Sequence, residues 1–195
     1  MDKREGIWEM KRELLGKIAL IFSFSLLLAL FSQIRIPLSF TPVPLTLQTL
    51  GVLFIGYYLG AFAGVASVIL YLTLGAIGFP FFAGLKGGLL SLSGPTGGYL
   101  VGFIAGVYIV GKAKEMGLLK NPFIAFLTAL FMHLIIYFFG TLWFLGGFYF
   151  LGWSKTLKDL LTLTVFPFIP TDIIKSLLFA GFVLAENKVY KVVRK

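Results

Sequence analysis

The sequence contains no cysteine and one histidine, and only 13% of its residues are charged. The absence of cysteine excludes disulfide scaffolds, thiolate metal sites, iron–sulfur clusters and cysteine nucleophiles. A single histidine excludes most histidine metal sites, and neither a Gly-x-Ser-x-Gly elbow nor a Ser-His-Asp order is present. We therefore expect no bound metal and no cofactor, and the sequence does not favour an ordinary hydrolase.

Long hydrophobic runs dominate the 195 residues, of which 58% are hydrophobic. A helix that crosses a membrane needs about 20 mostly apolar residues. Six such runs occur, at Arg12–Phe31, Leu47–Ala63, Gly64–Phe82, Thr96–Ala113, Phe123–Phe150 and Pro170–Asn187. Because alternating barrel patterning is absent, the sequence predicts one all-α integral membrane domain over residues 1–195 with six transmembrane helices and long structured outer loops.

The net charge of +9 comes from 17 basic and 8 acidic residues that lie in short tracts between the apolar runs. Twelve of the basic residues fall on one side of the predicted topology, including both termini. The positive-inside rule therefore places both termini in the cytoplasm and accounts for the charge without nucleic acid. No small-residue cleavage site follows Phe31, so we expect the first run to remain as a helix in the cell membrane.

Three predicted outer segments are unlike ordinary linkers. Residues 32–46 contain Pro37, Pro42 and Pro44, which favour an extended path suited to a lid over a cavity. Residues 83–95 are rich in glycine, which lets backbone approach a ligand or another backbone closely. Ser154–Val165, which includes Lys155, Lys158 and Asp159, is partly amphipathic and is expected at the outer interface.

Asp172 and Lys175 are the charged residues that most need an explanation, because a charge inside a membrane span costs several kcal/mol unless it is paired or faces water. Pro170 suits the first position of the last helix, which places Asp172 in the first turn, where the helix dipole favours a carboxylate. Lys175 lies three residues further on and shares its face. Two interpretations stay open. The residues form an ion pair that stabilises the start of the helix, or they form a pair that contacts a ligand.

Other polar residues also have two interpretations each. Lys86 in the glycine-rich segment suits an acidic solute or is simply solvated, and Arg35 contacts a solute or anchors at lipid headgroups. Gln48 donates to a solute or satisfies the start of the second helix. His133 lies in the fifth run, where a hydrogen bond between helices is more common than proton transfer.

The sequence has no recognisable ATPase motif. The run Gly94–Tyr99 lacks the phosphate-loop spacing, and Gly111-Lys112 is followed by Ala113 instead of Ser or Thr. We therefore expect a transport subunit and not an enzyme, with energy for uphill transport supplied by a partner or an ion gradient.

Four motifs in order carry a resemblance to a known family. They are Gln33–Gln48, Gly75–Gly84, Gly94–Tyr99 and Pro167–Lys175, reading QIRIPLSFTPVPLTLQ, GAIGFPFFAG, GPTGGY and PFIPTDIIK. Together they resemble BioY, the biotin-specific S component of energy-coupling factor (ECF) vitamin transporters. The family often has another polar residue at the position of Lys86 and can have Arg at that of Leu100, so Lys86 is a candidate partner for the biotin carboxylate.

The resemblance implies a biotin-binding and translocating subunit that works with a transmembrane T component and two cytoplasmic ATPases in the lipid bilayer. It also implies an outward-facing pocket under the lid segment. The ligand-binding candidates are Asp172, Lys175, Lys86, Gly84, Gly87, Tyr99, Gln48 and Phe82. The expected contact surface for the T component is the pair Ser25 and Ala29 or the pair Ala19 and Ser23, since small residues let membrane helices approach closely.

Two other classes compete with this interpretation. A self-sufficient secondary transporter of a small acidic vitamin would use Asp172 or His133 to carry a proton. A membrane enzyme would need an acid–base or metal constellation, for which one histidine and one intramembrane aspartate are too few.

Overall fold

The computed structural model describes residues 3–150 and 156–193, with side chains over 7–147 and 156–189. Its helices are α1 (Lys3–Gln33), α2 (Gln48–Ala76), α3 (Leu89–Leu92), α4 (Gly97–Glu115), α5 (Pro122–Phe150), α6 (Leu157–Thr164) and α7 (Ile169–Val193). Two short strands, β1 (Arg35–Ile36) and β2 (Leu45–Thr46), and a 3₁₀ turn at Leu118–Lys120 complete the described elements. The described part of the chain is therefore mostly helical, as the sequence predicts.

α2 reverses direction at Gly60. The Gln48 side-chain amide donates to the Tyr71 hydroxyl at 2.8 Å, although the two residues are 23 positions apart. In a straight helix that separation would span about 34 Å, so the halves 48–59 and 61–76 must run antiparallel. Gly60 makes the turn with φ 74° and ψ −172°, a conformation that is essentially restricted to glycine. The sequence predicts the boundary between the second and third helices at Ala63/Gly64, a few residues after the turn in the structure.

Glu115 at the end of α4 closes this reversal. Its carboxylate accepts the Ala61 N–H at 2.8 Å, which satisfies a backbone donor at the start of the second half of α2. Lys112 forms an ion pair with the same carboxylate at 2.8 Å. The hydrogen bond from Lys112, followed by that from Ala61, lowers the pKa of the Glu115 carboxyl.

α4 lies between α2 and α5, and its glycines allow both contacts. A Cβ atom at Gly98, Gly102 or Gly106 would lie within 2.2–3.1 Å of atoms of α5. These three glycines are spaced by four residues and so share one helix face, the pattern by which membrane helices approach closely. On the side facing α2, a Cβ atom at Gly111 would lie 2.3 Å from the backbone of Ala61.

The lid segment, residues 32–46, is fixed at both ends. β1 and β2 pair antiparallel, with Arg35 opposite Thr46 and Ile36 opposite Leu45. The sequence predicts an extended path here but not this pairing. Between the strands, the Thr41 hydroxyl donates to the Leu163 carbonyl at 2.8 Å and so ties the middle of the lid to α6.

The glycine-rich segment, residues 83–95, folds back on itself and contains the short helix α3. Phe82 and Lys86 exchange backbone hydrogen bonds of 2.9 and 3.2 Å around a turn in which Gly84 and Leu85 have positive φ. The Leu85 N–H donates to the Gln33 side chain at 2.9 Å, which attaches this turn to the end of α1. The lid and the glycine-rich segment therefore lie at the same end of the helix bundle.

α6 begins with a capping box, in which Thr156 and Asp159 each accept a backbone N–H from the other. α6 and α7 meet at an angle of 44°. Pro167 and Pro170 lie at or beside this bend, where a missing N–H and a fixed φ prevent one continuous helix. Ser154 and Lys155 of the predicted interfacial segment lie outside the described residues.

Three helical stretches among the described residues are long and apolar enough to cross a membrane. They are Ile7–Gln33, Gln48–Ala76 and Pro122–Gly147. The bent pair Leu157–Thr164 and Ile169–Val189 would make a fourth. The reversal at Gly60 shows that Gln48–Ala76 is two antiparallel segments, as predicted for the second and third helices. Six separate crossings remain a prediction.

Candidate ligand-binding site

An apolar cavity, here called the inner cavity, lies between the lid, α2, α4, α5 and α7. Its charged lining residues are Asp172 and Lys175, which lie beside the hydroxyl groups of Thr49 and Tyr137. The remaining lining residues are Val43, Pro44, Thr46, Gln48, Phe82, Ala83, Thr96, Tyr99, Leu100, Phe103, Ile136 and Phe168. A few polar groups in an apolar wall is the usual composition of a small-molecule site.

Asp172 is held from several directions. Lys175 donates to Oδ1 at 2.6 Å, Tyr137 donates to Oδ2 at 2.6 Å, and the Thr49 hydroxyl lies 3.4 Å from Oδ1. The residue is only 4% exposed and occupies the first turn of α7, as predicted. The N-terminus of α7, with its partial positive charge, lies beside these donors and attracts the carboxylate.

Lys175 is 7% exposed, and its ammonium group donates both to Asp172 and to the Thr49 hydroxyl, the latter at 2.9 Å. The structure contains the ion pair of the first interpretation, with i,i+3 spacing, and both residues line the inner cavity. Contact with a ligand stays a prediction. Burial makes such a pair expensive to break, because either partner alone would be an uncompensated charge.

His133 belongs to α5, and its Nδ1 lies 3.4 Å from the Ser176 hydroxyl of α7, while its shorter contact is within its own helix. Its Nδ1 is 2.7 Å from the Ala129 carbonyl oxygen and must carry the hydrogen, because that oxygen can only accept. Nε2 is buried without a hydrogen-bond partner and lies 3.5 Å from Asp172 Oδ1. The histidine thus borders the Asp172 cluster from behind and does not line the cavity.

Gln48, Tyr99 and Phe82 line the inner cavity, as predicted for ligand-binding residues. The polar groups of the first two are already engaged within the protein. Gln48 donates to Tyr71, and the Tyr99 hydroxyl donates to the Thr164 carbonyl at 2.8 Å. Their contribution is therefore mainly the shape of the wall.

Lys86 lies in an adjacent and larger cavity, here called the vestibule. Arg35 and Lys86 are its two cationic lining residues, and it shares Pro44, Phe82, Ala83 and Thr96 with the inner cavity. The structure thus separates two groups of predicted site residues: Asp172 and Lys175 in the inner cavity, and Lys86 at its entrance.

Gly84 and Gly87 line neither cavity and act through the backbone. A Cβ atom at Gly84 would lie 2.7 Å from the Arg35 guanidinium carbon, so the absence of a side chain lets that guanidinium rest on the turn. A Cβ atom at Gly87 would lie 2.4 Å from the Phe79 carbonyl oxygen. Both glycines permit close approach, as predicted, but what approaches them is the protein itself.

Sequence reasoning misses Tyr137 and Thr49, which complete the Asp172 cluster. Tyr137 lies within the long apolar run of α5, and nothing local distinguishes it from its aromatic neighbours. The one signal is its spacing of four residues from His133, which puts both polar side chains on one helix face. Thr49 adjoins Gln48, but its role requires α2 and α7 to be placed side by side.

A comparison with known protein families decides the identity. A model of the BioY family matches residues 3–192. The chain belongs to the BioY family. The resemblance carried by the four sequence motifs is therefore confirmed, and the family assignment covers all the helices.

Similar proteins with the BioY name occur in archaea and bacteria. The probable biotin transporter BioY of Pyrococcus horikoshii is 36% identical over 82% of this chain and 89% of its own length. The biotin transporter BioY of Thermotoga maritima is 36% identical over 85% of this chain and 92% of its own length. A crystal structure of the S component for biotin from an ECF-type ABC transporter superposes with a TM-score of 0.76 and 28% identity, over 91% of this chain and 93% of that one.

Membership of the BioY family, with the apolar helices described above, makes the chain a multi-pass membrane protein. One pair in the predicted partner surface needs correction: Ser25 is fully buried and Ala29 is 8% exposed, so both face the protein's own interior. A Cβ atom on Gly51 of α2 would lie 3.2 Å from Leu28 on this face. Ala19 and Ser23 are exposed and remain available.

Proposed function

We propose that this protein is the biotin-binding and translocating subunit of an ECF-type vitamin uptake transporter. The observation that carries the proposal is the buried cluster of Asp172, Lys175 and Tyr137 in the wall of an apolar cavity, next to a second cavity that is lined by two cations. Biotin combines a polar ureido ring, an apolar body and an acidic tail, and the two cavities present matching groups in that order.

The ureido ring fits the Asp172 end of the inner cavity. It offers two N–H donors and one carbonyl acceptor, and an ionised carboxylate has about four acceptor positions. Lys175 and Tyr137 occupy one position on each oxygen, and the weaker Thr49 contact at 3.4 Å is readily displaced. The ring N–H groups would take the remaining positions, and the third hydrogen of the Lys175 ammonium group can turn to the carbonyl.

The valerate tail then points toward the vestibule. Lys175 already serves Asp172 and Thr49, so the cations available to the acid are Lys86 and Arg35. Phe82 is common to both cavities and provides an apolar surface for the methylene chain. Biotin would therefore lie with its ring buried and its carboxylate at the entrance.

Entry requires movement of the lid. The inner cavity has a volume of about 60 Å³, which is room for a few water molecules and not for a bicyclic ring. Val43 and Pro44 of the lid form part of its wall and belong to no helix. We propose that residues 37–44 swing outward to admit biotin and close over it afterwards.

We further propose six membrane crossings, with the two halves of α2 as separate crossings and both termini in the cytoplasm. The partners would be a transmembrane T component and two ATPases. ATP hydrolysis by these ATPases would supply the energy for transport, since no ATPase motif is recognised in this sequence. The exposed pair Ala19 and Ser23 on α1 is the candidate contact surface for the T component.

One observation favours a second candidate, a proton-coupled secondary transporter. If His133 is neutral with its hydrogen on Nδ1, the lone pair of Nε2 faces a carboxylate oxygen 3.5 Å away, an arrangement that a shared proton would relieve. Uptake that collapses with an uncoupler but persists after loss of the ATPases would favour this candidate. Uptake that requires the ATPases and tolerates the uncoupler would exclude it.

The test of the main proposal is isothermal titration of biotin into the detergent-purified protein without partners. Desthiobiotin, which keeps the ureido ring, and thiamine, which does not, serve as comparators. We expect stoichiometric binding of biotin, weaker binding of desthiobiotin and none of thiamine. No binding of biotin to folded protein would contradict the assignment of the ligand.

A further inference from the structure

The vestibule is larger than a terminal carboxylate needs. Its volume is about 570 Å³, against about 60 Å³ for the inner cavity. A volume of that size is typical of a site for a whole small molecule, since ligand pockets commonly measure about 300–1,000 Å³. Space of this extent at the entrance indicates room for a further chemical group beyond the tail of the inner ligand.

The two cavities are neighbours. They share Pro44 from the lid, Phe82 and Ala83 from the start of the glycine-rich turn, and Thr96 beside α4. Once the lid has moved, as proposed above, a chain that leaves the inner cavity past these four residues would enter the vestibule. One molecule would then occupy both cavities.

The vestibule has a cationic lining. Arg35 and Lys86 contribute its formal charges, and neither a carboxylate nor a histidine is among its lining residues. Within the described residues, the ion pairs involve Lys112, His133 and Lys175 and leave both of these cations unpaired. The Arg35 guanidinium rests on Gly84, so its position is restricted. A cationic lining with one restricted guanidinium suits an anionic group, and above all a carboxylate.

The inner cavity does not require a free carboxylate on its ligand. Its one ammonium group, that of Lys175, is occupied by Asp172 and Thr49. Conversion of the acid of the inner ligand to an amide would therefore cost no contact in the inner cavity, while an anion further along the chain could still reach Arg35 or Lys86.

From these observations we infer that the vestibule is an outer subsite for an anionic extension, so that the protein binds amide-linked biotin conjugates that end in a carboxylate. The inference rests on the proposed function, because it takes biotin as the occupant of the inner cavity. It extends the substrate class from free biotin to amides of biotin whose attached group carries a terminal carboxylate.

A matched pair of probes tests the inference by isothermal titration into the purified full chain. Biotin amides of 6-aminohexanoic acid and of 1,5-diaminopentane have the same linkage and nearly the same length but opposite terminal charge. We expect the acid-terminated amide to bind within about tenfold of biotin and at least about tenfold more tightly than the amine-terminated amide, a difference of about 1.4 kcal/mol.

Variants connect this preference to the vestibule. In the double variant Arg35→Gln, Lys86→Gln we expect the affinity ratio of the two amides to fall below about threefold, because the charges that distinguish them are gone. Lys158→Gln is the matched control, since Lys158 is exposed and lines neither cavity, and it should keep the wild-type ratio. The ratio is insensitive to a general loss of folded protein, which lowers both affinities alike.

The inference is overturned if biotin binds but neither amide does, if the wild-type protein does not prefer the acid-terminated amide, or if the double variant keeps the preference. In each of these cases the proposed function stands. If folded wild-type protein fails to bind biotin itself, the proposed function fails, and the inference fails with it.

Discussion

Tyr137 on α5 and Lys175 on α7 hold opposite oxygens of one carboxylate, that of Asp172, each at 2.6 Å. The carboxylate is thereby oriented before a ligand arrives, and its orientation depends on two different helices. Preorganisation of this kind raises affinity because the ordering of the side chain does not have to be paid for on binding.

Substitution of Tyr137 by Phe should weaken biotin binding by about tenfold or more, since a hydrogen bond to a charged group contributes about 1.5–3 kcal/mol. Tyr99→Phe is the matched control, because the Tyr99 hydroxyl bonds to the Thr164 carbonyl and not to Asp172. Titration of biotin into both variants checks this. Equal losses of affinity would show that orientation of Asp172 is unimportant.

Removal of one charge of the buried pair should destabilise the protein more than removal of both. Asp172→Asn leaves the Lys175 ammonium group buried without its partner, at a cost of about 3–5 kcal/mol. The double variant Asp172→Asn, Lys175→Met has no unpaired charge and should recover most of the thermal stability in detergent. A double variant that melts no higher than the single variant would contradict this account of the pair.

Gly60→Ala should strongly destabilise the protein. The native φ of 74° and ψ of −172° exclude an ordinary side chain, and a Cβ atom would also approach Glu115 Oε1 to 3.0 Å. Gly181→Ala is the matched control, since Gly181 lies in α7 with open space around it and helical alanine is favoured by about 0.5–1 kcal/mol. We expect a lower melting temperature for the first variant and an equal or higher one for the second.

Gly84→Ala should reduce recognition of the ligand's negative charge, because the new methyl group would displace the Arg35 guanidinium. Gly88→Ala controls for backbone strain, since Gly88 also has a positive φ, of 89°, but meets no atom within 4 Å. The readout is the affinity ratio of biotin to its uncharged methyl ester. We expect Gly84→Ala to lower this ratio and Gly88→Ala to keep the wild-type ratio. Equal ratios in the two variants would show that Arg35 takes no part in recognition of the ligand's carboxylate.

Much of the fold follows from the sequence because hydrocarbon imposes a strict length rule on helices. The apolar runs locate the described helices to within a few residues in most cases, although α1 begins nine residues earlier than predicted. A reversal within the run from residue 47 to 82 also follows, since this run is too long for one crossing, but the sequence puts it at Ala63/Gly64 and the structure at Gly60. The β1–β2 pairing does not follow, because two-residue strands have no pattern of their own.

The candidate site is predictable only in part. The Asp172–Lys175 spacing within one helix is local and can be read directly from the sequence. The contributions of Tyr137 and Thr49 depend on how α2, α5 and α7 are placed side by side, which local patterns do not determine. For the same reason the sequence does not show that Ser25 and Ala29 face inward or that Lys86 lies in a separate cavity.

The central claim is that Asp172 and Lys175 bind the ureido end of biotin, and a side-by-side titration tests it most directly. Biotin is titrated into purified wild-type protein and into the Asp172→Asn, Lys175→Met double variant, after their melting temperatures have shown that both are folded. We predict stoichiometric binding to the wild type and no measurable binding to the double variant. Binding of biotin to the folded double variant with near wild-type affinity would contradict the assignment of the site.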